Sequence, residues 1–188
     1  MTRKPAQSGT QELLERFVDL LGAYSSAVLT ARLLVDTTGG ELTPSQYDAL
    51  VFIHRHGDCS AKALSEGLQI SIPSSTRLVD RLVRKRLVDR RESAEDRRLV
   101  QLSVTDQGRQ ALALVHQARV VKFEHTLRDM TAEERTQLLG LLERLLQSVL
   151  SDEQTVRDCC RHCGTDHEET CVVNEAHLAL LGRPIEHP

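Results

Sequence analysis

The chain contains no tryptophan, and aromatic residues make up only 3% of its 188 positions. Leucine, valine and alanine are plentiful, so the core must be aliphatic and we expect a mostly helical chain. No stretch approaches the roughly 20 consecutive apolar residues that cross a bilayer, and no apolar run follows the basic residues near the start. We therefore expect no membrane association and a cytoplasmic protein.

The chain also lacks the features of a disulfide-stabilised protein. It has five cysteines but no secretion signal, and cytosolic reductants keep thiols reduced. Metal binding or thiol chemistry is therefore the better hypothesis for the cysteines.

Charge is unevenly distributed, although the whole chain carries a net charge of only −3. Residues 77–98 contain nine basic and five acidic side chains, a net charge of +4. From Asp152 onward, eight acidic residues face three arginines, a net charge of −5. A basic middle with an acidic tail is typical of a protein in which one face meets phosphate.

Helical periodicity and capping residues predict most of the elements. Residues 11–36 place apolar side chains at helical spacing, which predicts one long helix. Thr43 and Pro44 then predict the start of a second helix. Two further helical segments with caps at Ser60 and Ser71 have the length and polarity of a helix-turn-helix.

The second half of the sequence predicts a hairpin followed by two long helices. "VDRRES" and "RRLVQLSVT" alternate like strands, and the polar "SAED" between them indicates the hairpin tip. Thr105 or Asp106 caps the next helix, and Thr131 with Glu134 predicts a capping box for the last one. The predicted fold is mainly helical with one β-hairpin.

The hairpin region resembles the MarR family of winged-helix transcriptional regulators. The matching residues in "SAEDRRLVQLSVTDQG" are Asp96, Arg98, Leu102, Thr105 and Gly108, with "SVT" where the family more often has "LT". The resemblance covers roughly residues 10–150 and implies a homodimer with two winged helix-turn-helix lobes. It implies dimerisation by the long helices at both ends, which fits apolar faces too large for one small lobe to cover.

These expectations divide the chain into four parts. We expect an N-terminal dimerisation helix at 1–40, a winged helix-turn-helix lobe at 41–105, dimerisation helices at 106–151 and a Cys/His-rich extension at 152–188.

The second helix of the helix-turn-helix is the predicted DNA-reading element. Leu78, Val79 and Leu82 share one face with Ser75, whereas hydroxyls and arginines occupy the other. Such a helix suits the major groove, although a solvated charged face on an ordinary helix is the alternative. We expect base contacts from Ser74, Thr76 and Arg77 and phosphate contacts from Arg81 and Arg84.

The family resemblance also implies roles at the hairpin tip. One wing arginine enters the minor groove and an acidic partner holds the loop, which points to Arg97 for the groove and Arg98 paired with Asp96. The two arginines could be exchanged, because adjacent strand residues point oppositely. Arg86 stands where the family usually has glycine, at a position that can require a positive φ.

The resemblance implies an effector pocket between the dimer region and the DNA-binding lobe. Candidate lining residues are Tyr24, Arg32, His54, His56 and His116, each of which is singly more typical of surface or packing.

The extension contains "CCRHCGTDHEETC", which suggests a metal site. Cys160 and Cys163 have zinc-knuckle spacing, and a helix beginning near Thr165 would place His167 and Cys171 on one face, completing a Cys₃His zinc site. An iron–sulfur cluster that also uses Cys159, a reversible disulfide and a loosely ordered acidic tail are the alternatives. His177 is a spare candidate ligand, and Cys59 is expected to be a buried small residue.

Together these features predict a homodimeric regulator, not an enzyme, that binds a palindromic double-stranded DNA operator. In this family such a protein is usually a repressor, relieved here by a small molecule, a metal or a redox change. The alternative is a thiol or iron–sulfur redox protein using the C-terminal cysteines, but the βαβ context of a thiol oxidoreductase is missing around Cys160 and Cys163.

Overall fold

The computed structural model describes residues 9–57, 59–92, 100–162 and 171–183. The first half contains α1 (Gly9–Ser26), a π-helical segment (Ala27–Arg32), α2 (Leu33–Thr38), α3 (Pro44–His56), β1 (Cys59–Ser60), α4 (Ala61–Gly67) and α5 (Ile72–Arg84). The second half contains β2 (Val88–Glu92), β3 (Val100–Val104), α6 (Asp106–Leu127), α7 (Ala132–Val149), α8 (Glu153–His162) and α9 (Val172–Leu181). The mainly helical fold with a β-hairpin is confirmed.

Side-chain caps start the helices where the sequence predicts them. The Thr43 hydroxyl accepts from Gln46 N while the Gln46 side chain accepts from Thr43 N, a complete capping box with Pro44 at the first position. Ser60 caps α4, Ser71 caps α5 and Thr105 caps α6. A second capping box joins Thr131 and Glu134. These helix starts are therefore fixed by local hydrogen bonds.

The β-hairpin is part of a three-stranded antiparallel sheet in the order β1-β3-β2. Val88 lies opposite Val104 and Glu92 opposite Val100, so Leu102 and Val104 turn into the core. The sequence analysis missed β1, in which Cys59 lies opposite Leu102. A two-residue strand is too short to show alternation, and it runs directly into the helix that Ser60 caps. Cys59 is buried as expected.

One aliphatic core holds the lobe together. It contains residues from α2, α3, α4, α5, the sheet and the first half of α6, among them Leu34, Leu50, Ile53, Leu64 and Leu102. Gly108, a residue of the wing motif, lies so close to this core that an added Cβ would stand 2.3 Å from the Leu87 carbonyl oxygen. The close approach of α6 to the chain after α5 therefore requires glycine.

The N-terminal helix is longer and more apolar than expected. It runs without a break from Gly9 to Thr38, and its π-helical segment has no proline to mark it in the sequence. By length and composition alone this helix is long enough to cross a membrane, so the expectation that no segment would meet that test is wrong. A helix whose apolar face packs on another protein surface meets the same test. Almost none of it is buried within the single chain.

Two further elements follow the predicted last helix. Cys160 lies within α8, and α9 begins only after Cys171, whose extended backbone makes it the N-cap. The predicted helix with His167 and Cys171 on one face is therefore wrong at Cys171, because the helical φ and ψ values begin at the next residue.

Candidate nucleic-acid interface

The helix-turn-helix consists of α4 and α5, which pack against each other. Ser75 is completely buried, and its hydroxyl donates to the Ala61 carbonyl oxygen at 2.9 Å. Val79 and Leu82 are also fully buried beneath α5. The polar contact and the apolar contacts lie on one side of α5, so its rotation about its own axis is fixed and the other side faces outward.

The outward side of α5 carries the five residues of this helix that are predicted to contact DNA. Ser74, Thr76, Arg77, Arg81 and Arg84 are exposed. Within the part of the chain that the structure describes, neither Arg77 nor Arg81 has an ion-pair partner, so their guanidinium groups face solvent with donors available. The Arg84 Nε donates to the Asp80 carbonyl oxygen at 3.3 Å, which holds that side chain along the helix end.

The two hydroxyl groups differ in what they offer to a ligand. The Thr76 hydroxyl donates to the Ile72 carbonyl oxygen at 3.0 Å, so outward it presents oxygen lone pairs and a methyl group. A methyl group and an acceptor suit contact with a thymine methyl or an exocyclic amine. The Ser74 hydroxyl shares a hydrogen bond of 2.9 Å with that of Ser71, the N-cap. Ser74 therefore sits at the N-terminus of α5, where backbone N–H groups attract anions.

The end of α5 is held by four hydrogen bonds. Leu87 N donates to Leu82 O at 3.0 Å and Arg86 N to Val83 O at 2.9 Å, which is a Schellman motif. Arg86 occupies its left-handed position with φ of 58°, so the expectation of a positive φ there is confirmed. The Lys85 ammonium bonds to Gln46 Oε1 at 2.9 Å and also to the Glu41 carbonyl oxygen, which ties α5 to α3.

An ion pair joins α5 to the hairpin. Arg90 Nη2 of β2 lies 2.7 Å from Asp80 Oδ1 of α5. The sequence analysis did not find this pair. The alternation of β2 could have indicated it, because Arg90 follows the buried Val88 by two residues and so shares its face.

Three of the predicted site residues come from the segment between β2 and β3. Asp96, Arg97 and Arg98 lie outside the described residues. The paired strands fix the register only up to Glu92 and Val100.

The five candidate effector residues lie on four different elements. The Tyr24 hydroxyl is 3.1 Å from Thr126 Oγ1, Arg32 pairs with Asp36 at 3.9 Å, and His56 stacks on Phe52. His54 and His116 are exposed.

A groove of about 460 Å³ lies between α2 and α6, and none of the five candidate effector residues lines it. Its lining residues are Leu33, Leu114, Gln117, Ala118, Val121, Lys122 and His125.

Tyr47 lies where α3 meets α6. Burial raises the pKa of its phenol, and the charge of Arg119 on α6 opposes that shift. The phenol is therefore neutral at pH 7.

The predicted metal ligands are only partly described. Cys160 lies in α8 and Cys171 caps α9, whereas Cys163 and His167 lie outside the described residues. In the described ranges, no group of three or more His, Cys, Asp or Glu side chains is placed to hold a metal ion. His177 is buried, and its Nδ1 lies 2.8 Å from the Arg183 carbonyl oxygen, so that nitrogen is engaged within the protein.

The sequence of the chain matches a family model and several known proteins. A MarR family model matches residues 41–99. A Thauera aromatica protein assigned to transcriptional regulation of the hcr operon is 32% identical over 128 residues, which cover 68% of this chain and 76% of that protein. The transcriptional repressor MdtR of Bacillus subtilis is 29% identical over 113 residues, covering 60% of this chain and 73% of MdtR.

The fold is also similar to that of a solved structure. The structure of a MarR family protein from Bacillus stearothermophilus matches with a TM-score of 0.65 and 24% identity, covering 76% of this chain and 96% of that one. The chain therefore belongs to the MarR family of winged-helix transcriptional regulators, which bind DNA and are not enzymes.

Proposed function

We propose that this protein is a homodimer that binds a palindromic double-stranded DNA operator and regulates transcription from it. The observation that carries the proposal is the two-sided α5. Ser75, Val79 and Leu82 fix the helix in the lobe, and the opposite side presents hydroxyl groups and arginines to solvent. A helix with this polarity, beside a hairpin, fits the major groove of a duplex.

The proposed contacts divide by position along α5. Thr76 and Arg77 lie in its first half, where recognition helices reach base edges, and Ser74 lies at the capped N-terminus beside them. Arg77 suits the O6 and N7 atoms of guanine, because its guanidinium group donates two parallel hydrogen bonds. Arg81 and Arg84 lie one and two turns further on and suit phosphate. The wing would add Arg97 or Arg98 in the minor groove, with Asp96 holding the loop.

The surface that remains uncovered supports self-association. No residue of α1 or α7 is buried within the single chain. On α7, Leu141 is 62% exposed and Leu145 50%, and on α1, Phe17 is 61% exposed. Apolar surface of this extent marks an interaction site. We assign it to a second copy of the chain rather than to lipid, because a two-fold dimer also presents two reading helices to one duplex.

The name of one relative supports a proposal on the direction of regulation. MdtR is a repressor, and we propose repression for this protein in the cytoplasm. We further propose a small-molecule effector that binds between the dimer region and the lobe, near Tyr24, Arg32, His54, His56 and His116.

Selection from a pool of random duplexes tests the proposal directly. We expect enrichment of a two-fold symmetric sequence whose half-sites lie about one helical turn apart, bound by two chains. Duplexes that carry one intact half-site serve as the matched control and should bind more weakly. Failure to enrich any sequence, or a bound stoichiometry of one chain per symmetric duplex, would refute the proposal.

A zinc site at Cys160, Cys163, His167 and Cys171 stays a separate proposal. Zinc prefers thiolate and imidazole ligands in a tetrahedral arrangement, and the donor types present match that preference. Elemental analysis of the purified protein, together with its visible spectrum, distinguishes zinc, which is colourless, from an iron–sulfur cluster and from no metal. A Cys160→Ser, Cys171→Ser variant should lose the metal, and a metal content near zero in the unmodified protein would end this proposal.

A further inference from the structure

The chain continues past the last predicted helix into a hairpin of two helices, α8 and α9. Helix α9 packs against both α8 and α7. Leu150 at the end of α7, Val156 in α8 and His177 in α9 are all buried, with exposures of 3%, 0% and 4%. Over its described residues the extension is therefore a packed part of the fold, and the alternative of a loosely ordered tail is wrong there.

The second half of α9 carries uncovered leucines. Leu178 and Leu181 lie one turn apart and are 49% and 38% exposed. Helix α7, on which α9 packs, leaves Leu142, Leu145 and Val149 uncovered as well. Leucines on two helices that contact each other provide more apolar surface than α7 alone.

We propose that α9 is a second dimerisation element, in which Leu178 and Leu181 are buried against the second copy of the chain. The inference rests on the homodimer proposed above and extends its interface beyond residue 151. Continuity with α7 selects a second copy as the occupant. The segment from Asp152 onward carries a net charge of −5, so a duplex is not its partner.

Sedimentation equilibrium on the full-length chain tests the proposal. The Leu178→Glu, Leu181→Glu variant should raise the dimer dissociation constant about tenfold or more, because charge replaces buried leucine in both copies. The matched control is Ala179→Glu, which adds a carboxylate at an exposed position of the same helix and should change the constant by less than about threefold. Far-UV circular dichroism checks that α9 still forms in each variant.

Hydrogen exchange on the unmodified chain gives a second measurement that needs no variant. The backbone amides of α9 should lose protection when the protein is diluted below its dimer dissociation constant. Unchanged protection on dilution, or a dimer dissociation constant within about twofold of the original in the Leu178→Glu, Leu181→Glu variant, would overturn the proposal.

A Leu142→Glu, Leu145→Glu variant on α7 separates this inference from the proposed function. If it dissociates the dimer while the α9 variant does not, the homodimer stands and α9 is not part of its interface. If the unmodified chain sediments as a monomer throughout, the proposed function fails together with this inference.

Discussion

Asp80 of α5 and Arg90 of β2 form an ion pair of 2.7 Å that joins this helix to the β-hairpin. In a winged helix these two elements enter neighbouring grooves, so their separation must match the duplex. The pair bridges them directly, and Lys85 ties the end of the same helix to Gln46 of α3. Helix α5 is thus held by polar contacts to β2 and to α3, and its buried face packs on the core.

A double-mutant cycle with Asp80→Asn and Arg90→Gln should give a coupling free energy of about 0.2–1 kcal/mol in urea unfolding. The value is modest because the side chains are 45% and 39% exposed, so water screens the pair. Asp89 and Arg91, 3.7 Å apart and more exposed, form the matched control pair and should show coupling near zero. Equal coupling in the two cycles would mean that the Asp80–Arg90 pair does not hold the hairpin to the helix.

Replacing Arg86 by glycine should stabilise the protein. Arg86 has φ of 58°, where a side chain costs about 1–2 kcal/mol and glycine costs little. Part of the gain is offset by the greater freedom of glycine in the unfolded chain, so we expect the free energy of unfolding to rise by about 0.5–1 kcal/mol. Arg84→Gly, within helix α5, should lower it instead. A destabilised Arg86→Gly variant would show that its side chain makes a contact that outweighs the strain.

The elements that could be predicted are those specified by nearby residues. The caps at Thr43, Ser60, Ser71 and Thr131 depend on side chains three residues from the groups they bond. The inward and outward faces of α5 follow from the helical repeat alone. The outward placement of Arg77 and its neighbours could therefore be predicted without knowledge of the rest of the fold.

The features that could not be predicted depend on partners distant in sequence or on small backbone changes. Cys59 becomes a strand residue only because Leu102 lies beside it. The start of α9 after Cys171 is set by that residue's own extended backbone, with no side-chain cap bond. The alternation of β2 indicates the face on which Arg90 lies, but its pairing with Asp80 forms only once α5 and β2 are packed together.

The start of α8 should lose stability in acid. Asp152 accepts from Thr155 N at 2.9 Å and from the Thr155 hydroxyl at 2.6 Å, and these bonds lower the pKa of its carboxyl. A hydrogen bond from Arg157 lowers the pKa of Glu153 in the same way. A carboxyl whose pKa is lower in the folded chain than in the unfolded chain stabilises the fold at every pH above its unfolded pKa. The contribution is therefore present at neutral pH and is lost as pH falls below about 4.

Unfolding of an Asp152→Ala variant at several pH values measures this effect. The unmodified protein should be the more stable at pH 7, and the difference should shrink through the acid range. Asp129→Ala, at a residue outside any helix cap, should show a smaller change with pH. A difference for Asp152→Ala that is independent of pH would place its origin outside the ionised carboxylate.

The most direct test of the central claim compares Arg77→Ala, Arg84→Ala and the control Arg157→Ala on the selected operator and on a scrambled duplex. If α5 reads bases through Arg77, that variant should lose about 1–3 kcal/mol on the operator and little on the scrambled duplex. Arg84→Ala should weaken both and lower the slope of log affinity against log salt by about 1, and Arg157→Ala in α8 should change neither. Operator affinity and specificity left intact in Arg77→Ala would contradict the claim that this helix reads the sequence.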